Sequence, residues 1–309
     1  ATRRYYGNVT VRQALARSLN IPAVKVMQEY GVEKSIESAK SLGVTTLDKD
    51  PSEYGLSLAI GAAEDPLQQM TNAYAAFANN GGLRENTTIH EIQNKFNKPI
   101  FSHRSKPTQA VSAAGAYLLT SILSDTNARA FMFGTSLNVP SKTVAVKTGT
   151  TDDNRDAWAI GYTPDIAIGV WVGNNNNEVM VSGGADMAGP IWRKTMQQAI
   201  GTGTPEFTRP SGVVERYVCY GSGGLANSQG TNTYSEVFLE TALPQNSCSA
   251  TPQQQEEVKQ PEEEPEVVTP VTPEPEEEEP EPDDETDDST TESTAPTNPT
   301  TPTTPIVRP

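Results

Sequence analysis

The sequence predicts an α+β fold in which an antiparallel sheet is packed with helices. From Val144 onward, three short apolar segments are separated by turn residues, which is typical of an antiparallel meander. Helical patterns with start and stop signals precede this meander, and another helical pattern follows it. Helices that stand before and after an antiparallel sheet indicate the α+β class.

The first predicted helices are recognised by the residues at their ends. Thr10 is expected to cap a helix at residues 11–17. Pro22 suits the first turn of a second helix, which ends near Gly31. Two further helices are predicted at residues 33–42 and 66–80.

The middle of the chain changes from helix to strand. Residues 87–101 are predicted to form a small hairpin, and Thr108 is expected to cap a long helix that runs to about Ser124. The strands of the meander and the helix after it are predicted at residues 144–148, 157–162, 166–172 and 186–199. Strand-like segments at residues 213–220 and 236–239 follow.

Composition divides the chain into residues 1–200, an irregular or β-rich accessory extension at 201–250, and a tail at 251–309. The tail accounts for the whole formal net charge of −16 and has too little apolar surface to offset chain entropy, so we expect a disordered Pro/Thr-rich spacer. A passive terminus and a contact with a basic partner both stay open for it.

Because the first 250 residues carry balanced charge, nucleic acid is not expected as a ligand.

Cysteine and histidine content gives no sign of a metal or cofactor. Cys219 and Cys248 are too far apart for a Cys-x-x-Cys pair, and His90 and His103 have no recognisable metal spacing. A disulfide and two free thiols are equally compatible with the two cysteines. No apolar stretch reaches the roughly 18 residues that a membrane span needs.

Two polar motifs carry the chemistry of the chain. Lys147-Thr148-Gly149-Thr150 closes a predicted buried strand, and Ser18-Leu19-Asn20 falls on the tight link between the first two helices. A hydroxyl beside an ammonium can relay a proton, and an amide can hold a peptide group. Gly149 lets an extended peptide approach the strand edge, while the Thr150 hydroxyl and Lys147 favour a terminal carboxylate. Ser136-Leu137-Asn138 repeats the shorter pattern, so that pattern is not specific alone.

Together the motifs resemble the second and third active-site motifs of the penicillin-recognising serine acyltransferases. The transpeptidase domain of class A penicillin-binding proteins is similar to this chain over about residues 5 to 245. The stretches that carry this resemblance are residues 16–23, 58–62, 66–70, 75–79, 147–151 and 156–158. The interval between the two motifs suits that family and selects Ser18 over Ser136.

The resemblance implies a penicillin-binding-protein/β-lactamase-like transpeptidase fold and a set of roles. Ser18, Asn20 and Lys147 match catalytic positions that relay protons and orient substrate. The residues that match the substrate-binding positions are Thr148, Gly149 and Thr150, with the Thr150 N–H as one oxyanion donor. The implied partners are peptidoglycan stem peptides ending in D-Ala-D-Ala and β-lactams. No metal or diffusible cofactor is implied.

One motif of that family does not occur in the chain. No serine is followed by lysine three residues later, so Ser-x-x-Lys is absent. We therefore expect a C-terminal fragment of a peptidoglycan cross-linking D,D-transpeptidase, with residues 1–200 as a partial transpeptidase domain. The nucleophile, a glycosyltransferase domain and a membrane anchor would precede it in an extracytoplasmic parent. The fragment alone is expected to be inactive.

Two other functions stay open at this point. Serine β-lactamases share the Lys-Thr-Gly motif, but those of class A usually add a Glu-x-x-x-Asn element, which does not occur here. A non-catalytic module that binds cell wall or β-lactams is the second alternative. A parent without Ser-x-x-Lys upstream of Ala1 would favour that module.

Overall fold

A computed structural model describes residues 5–201 and 203–248 of the chain. The helices are α1 (Val11–Ala16), α2 (Asn20–Tyr30), α3 (Val32–Ser41), α4 (Pro51–Tyr54), α5 (Leu67–Ala78), α6 (Ala113–Leu123), α7 (Thr126–Phe133) and α8 (Gly184–Ala199). The strands are β1 (Gly82–Leu83), β2 (Glu91–Gln93), β3 (Pro99–Ser102), β4 (Thr108–Gln109), β5 (Ala145–Thr150), β6 (Asp156–Tyr162), β7 (Ala167–Gly173), β8 (Val213–Cys219) and β9 (Thr233–Leu239). The predicted α+β class is confirmed.

Helix α1 begins directly after Thr10, the residue predicted to cap it. The Thr10 hydroxyl accepts a hydrogen bond from the Gln13 N–H at 3.1 Å, and the Gln13 side chain accepts one from the Thr10 N–H at 3.0 Å. This reciprocal arrangement satisfies backbone donors that a helix otherwise leaves unpaired. α2 ends at Gly31, as predicted, with a left-handed φ of +98°.

The start of α6 corrects one prediction. Thr108 does not cap this helix, because it lies in β4 and pairs with Leu83 of β1. Ser112 is the cap instead, and its hydroxyl accepts a hydrogen bond from the Gly115 N–H at 3.1 Å. Both residue types can cap a helix. The long-range pairing of β1 with β4 keeps Thr108 extended and moves the helix start to Ser112.

The central sheet has the order β5-β6-β7, with all neighbours antiparallel, as the meander prediction requires. α8 covers one face with the fully buried Trp192 and Met196. Trp192 lies directly over Gly161, where an added Cβ would come within 2.4 Å of the indole. The opposite face packs against side chains of α1, α5 and α6 around the buried Tyr162.

The residues after 200 form an antiparallel β8–β9 hairpin, as their strand-like pattern predicts. A disulfide joins Cys219 to Cys248. Arg12 of α1 forms an ion pair with Glu236 of β9, its Nε lying 2.8 Å from Oε2. The division at residue 200 stays a prediction, and the predicted tail lies outside the described residues. Within the described ranges, no helix is long and apolar enough to cross a membrane.

Candidate active site

Ser18 occupies a tight turn that ends α1. Its φ is +56°, in the left-handed region, and its N–H donates to the Leu15 carbonyl at 3.1 Å. The next N–H, from Leu19, donates to the Ala14 carbonyl at 2.9 Å. These two bonds form a Schellman motif, in which the left-handed position is usually glycine because other residues are strained there by roughly 1–2 kcal/mol. A strained residue that keeps its hydroxyl is a candidate for function.

Lys147 projects from β5 toward this turn. Its Nζ donates to the Ser18 Oγ at 2.7 Å and to the Thr148 carbonyl at 2.5 Å. Burial disfavours the charged ammonium and lowers the pKa of Lys147 to about 8. On the order of a tenth of the lysine is therefore neutral at pH 7. An amine near its pKa can both give and take a proton through the serine hydroxyl.

β5 is an edge strand, and its free edge carries unpaired backbone groups. It pairs with β6 on one side, and no other described strand pairs with it. The Thr151 N–H donates to the Asp156 carbonyl at 3.1 Å. Because hydrogen-bonded and non-hydrogen-bonded pairs alternate in antiparallel sheets, the N–H and C=O groups of Thr148 and Thr150 point away from β6. An extended peptide can add to this edge.

The N-terminus of α8 lies against the end of β5. The Gly184 N–H donates to the Thr150 Oγ1 at 2.8 Å. An added Cβ on Gly184 would come within 2.3 Å of the Gly149 carbonyl oxygen, so this approach requires glycine. The positive end of a 16-residue helix therefore lies beside Thr150. This placement favours an anionic group near Thr150.

The structure joins Ser18 and Lys147 by a hydrogen bond, and Gly149 and Thr150 follow Lys147 at the end of β5. Asn20 and Thr148 are the other two predicted site residues. Asn20 is the first residue of α2 and is exposed, and its side chain hydrogen-bonds to no other described residue. Thr148 is only 8% exposed, and strand alternation turns its side chain to the face opposite Lys147. Its backbone, rather than its hydroxyl, reaches the free edge of β5.

Sequence reasoning missed two features of this region. The Gly183-Gly184 pair, which lets α8 approach β5, was detectable as two glycines before a helical pattern. The second feature is the environment of Asp156, whose carboxylate accepts hydrogen bonds from the Thr151 hydroxyl and the Trp171 indole N–H. Trp171 is 38% exposed, whereas Trp192 is fully buried. Among the described residues, no group of three His, Cys, Asp or Glu side chains is placed to hold a metal ion.

Comparison with known proteins gives consistent matches. A model of the penicillin binding protein transpeptidase domain matches residues 1–197. Penicillin-binding protein 1A of Clostridium botulinum (strain Langeland) is 28% identical over 250 residues, 78% of this chain and 30% of that protein. Penicillin-binding protein 1A/1B of Bacillus subtilis (strain 168) is 32% identical over 283 residues, 84% of this chain and 30% of that protein. The chain thus spans 30% of the length of each of these relatives.

Solved structures show the same fold. Penicillin-binding protein 1A of Haemophilus influenzae aligns with a TM-score of 0.68 at 24% identity, over 79% of this chain and 42% of that chain. PonA1 of Mycobacterium tuberculosis in complex with penicillin V aligns with a TM-score of 0.58 at 24% identity, over 67% of this chain and 60% of that chain. At this level of identity, these similarities concern the fold alone.

Proposed function

Because the chain belongs to the penicillin-binding protein transpeptidase family, we propose that it carries the proton-relay and substrate-binding half of a serine D,D-transpeptidase site. The proposed reaction cross-links peptidoglycan stem peptides that end in D-Ala-D-Ala. The observation that carries this proposal is the hydrogen bond from Lys147 Nζ to Ser18 Oγ, on the strand whose free edge can receive a peptide.

The proposed chemistry has two steps through an acyl-enzyme. A serine oxygen bonds to the carbonyl carbon of the penultimate D-Ala, the amide C–N bond breaks, and the terminal D-Ala leaves with a proton added to its nitrogen. An amine of a second stem peptide then attacks the acyl carbon, loses a proton, and releases the serine. Each step needs a proton donor or acceptor near the nitrogen and stabilisation of an oxyanion.

Ser18 and Lys147 are suited to move that proton. The Ser18 hydroxyl accepts a hydrogen bond from Lys147 and keeps its own proton to donate to a leaving nitrogen. Because the Lys147 pKa lies at about 8, the amine can replace the proton that the hydroxyl gives up. Asn20, exposed at the start of α2, is assigned to the peptide group of the substrate.

The free edge of β5 is assigned to binding of the stem peptide. An extended peptide pairs with the outward backbone groups of Thr148 and Thr150, and Gly149 leaves room for it. The Thr150 N–H serves as one oxyanion donor. Lys147 and the N-terminus of α8 attract the terminal carboxylate. Thr148 is assigned to this binding through its backbone, since its side chain is buried.

The nucleophile is assigned to a Ser-x-x-Lys segment outside these 309 residues, because no serine of the chain has lysine three positions later. The whole protein is proposed to be extracytoplasmic, with a membrane anchor and a glycosyltransferase domain before this segment. β-Lactams are proposed as inhibitors that acylate the same serine. In support, the matched relatives are named penicillin-binding proteins, and PonA1 was solved with penicillin V.

The test is release of D-Ala from an acyl-D-Ala-D-Ala peptide. The protein extended upstream of Ala1, with its Ser-x-x-Lys segment, is expected to release D-Ala and form cross-linked product when an acceptor amine is present. The 309-residue chain is the matched control and is expected to release none. A folded extended protein that releases no D-Ala contradicts the proposal, and rapid multiple turnover of a penicillin favours a β-lactamase instead.

A further inference from the structure

Asp156 of β6 is the junction of a hydrogen-bond network that links Trp171 of β7 to Thr151, the residue directly after β5. Its carboxylate accepts a bond from the Thr151 hydroxyl at 3.0 Å and one from the Trp171 indole N–H at 2.9 Å. Its own N–H donates to the Thr151 Oγ1 at 2.7 Å, and its carbonyl accepts from the Thr151 N–H at 3.1 Å. Thr151 is therefore held at both its backbone and its side chain.

Gly173 makes the contact with Trp171 possible. Asp156 pairs with Gly173 across β6 and β7, while Trp171 lies two residues earlier on β7. The Trp171 ring leans over Gly173 to reach Asp156, and an added Cβ on Gly173 would come within 2.4 Å of that ring. A side chain at residue 173 would therefore displace the indole from the carboxylate.

The network acts on the residue next to a proposed oxyanion donor. Thr150 lies between Gly149 and Thr151, and its N–H belongs to the peptide group that follows Gly149. Because glycine restricts its backbone least, the direction of that N–H depends on how firmly the chain is held on the other side. Thr151, fixed by Asp156, supplies this restraint.

A purely stabilising role explains the network poorly. Trp171 is 38% exposed, and hydrogen bonds that water can replace contribute little net stability. Three bonds between two residues, Thr151 and Asp156, instead fix one local conformation at the end of β5. Fixed geometry matters most for a donor that must meet a developing charge.

We infer that Asp156, held by Trp171 over Gly173, is a positioning residue that fixes the Thr150 N–H for oxyanion stabilisation. This inference rests on the proposed transpeptidase function. It assigns Asp156 no contact with substrate and no proton transfer. Its effect is expected in the rate of acylation rather than in the affinity for a β-lactam before acylation.

The experiment compares matched variants of the protein extended upstream of Ala1, with penicillin as the acylating probe. Stopped-flow kinetics gives the dissociation constant of the first complex and the limiting acylation rate separately. Thr151→Val removes the hydroxyl at nearly constant shape, Thr151→Ser restores it, and Asp156→Ala removes the junction. Thr195→Val, on an exposed face of α8, is the control for a threonine-to-valine change.

We expect the limiting acylation rate to fall about 10- to 100-fold in Thr151→Val and Asp156→Ala, and to stay within about threefold in Thr151→Ser and Thr195→Val. The dissociation constant is expected to change less than about threefold, and the melting temperature by about 3 °C or less. Gly173→Ala, which leaves Asp156 and Thr151 unchanged, is expected to lower the same rate.

Three outcomes overturn the inference. If the parent is acylated normally and the acylation rates of Thr151→Val and Asp156→Ala are unchanged, the inference about Asp156 is wrong and the proposed function is unaffected. A loss that Thr151→Ser does not rescue, or that follows the melting temperature across the variants, indicates a structural role only. A parent protein that penicillin does not acylate removes the proposed function, and this inference with it.

Discussion

Lys147 Nζ donates a hydrogen bond to Ser18 Oγ at 2.7 Å, between residues that are 129 positions apart in the chain. The strand that contains Lys147 and the turn that contains Ser18 are stabilised by different sets of hydrogen bonds. β5 is held by its pairing with β6, and the turn is held by the Schellman bonds after α1. A partly buried ammonium and a strained serine at one place cost stability, which is typical of a site kept for function.

Replacing Lys147 with methionine is expected to stabilise the chain while removing the proposed proton relay. Burial lowers the Lys147 pKa from 10.5 to about 8, so the ammonium destabilises the folded state. Lys147→Met is expected to raise the free energy of unfolding by about 1 to 3 kcal/mol at pH 7. Urea denaturation measures this change, and a loss of more than about 1 kcal/mol contradicts the burial argument.

The gain from Lys147→Met is also expected to depend on pH. Below about pH 8 the lysine is charged in both states, so the folded state bears the full cost of burial. Between about pH 8 and 10.5 the unfolded state keeps the proton and the folded state does not, so the stability of the parent chain rises. The difference between the two proteins should therefore shrink over this interval. A difference that is constant or growing across it contradicts the lowered pKa.

Two substitutions of Ser18 separate strain from chemistry. Ser18→Gly and Ser18→Ala both remove the hydroxyl, but only alanine keeps the strain of the left-handed backbone at φ +56°. Ser18→Gly is expected to be more stable than Ser18→Ala by about 1 kcal/mol. Thermal or chemical unfolding of the pair measures the difference. Equal stabilities would mean that the turn relaxes out of the left-handed region.

Arg12 is expected to hold the β8–β9 hairpin on the rest of the structure. Its guanidinium pairs with Glu236 and Asp125, and the side chains of Arg12 and Glu236 are only 16% and 14% exposed. Arg12→Ala leaves the Glu236 carboxylate without this partner and is expected to cost about 3 kcal/mol. Arg209→Ala removes the exposed pair with Glu215 and is expected to cost less than about 1 kcal/mol. Equal losses in urea denaturation would contradict this difference.

The disulfide is expected to stabilise the same hairpin region. Cys219 and Cys248 are 29 residues apart, and closing a loop of that size restricts the unfolded chain by roughly 3 to 4 kcal/mol. Reduction is therefore expected to lower the free energy of unfolding by a few kcal/mol. Denaturation with and without reductant measures it, and a Cys219→Ser/Cys248→Ser variant that is insensitive to reductant is the control.

Local signals in the sequence predict most of the elements correctly. The Thr10 cap, the glycine stops and the alternating apolar segments each act within one turn or one strand, so neighbouring residues suffice to reveal them. Thr108 shows where such signals end. Thr108 lies in a strand rather than at a helix cap because it pairs with Leu83. The residues next to Thr108 in the sequence do not indicate this pairing.

The candidate site was predictable in part for a similar reason. The motif order and the resemblance place Ser18 and Lys147 in one site, and the structure gives the bond between them. The direction of the Thr148 side chain depends on the register of β5, and the partners of Asp156 depend on Trp171 reaching from β7. Both depend on the packed sheet rather than on spacing along the chain.

The most direct test of the proposed acyl-serine chemistry is intact-mass analysis of the protein extended upstream of Ala1 after incubation with a penicillin, followed by peptide mapping. A stable adduct of one penicilloyl group is expected on the serine of an upstream Ser-x-x-Lys segment, and no adduct is expected on the 309-residue chain alone. An adduct on Ser18 would contradict the assigned roles. No adduct on either protein would contradict an acyl-serine transpeptidase and favour a non-catalytic module.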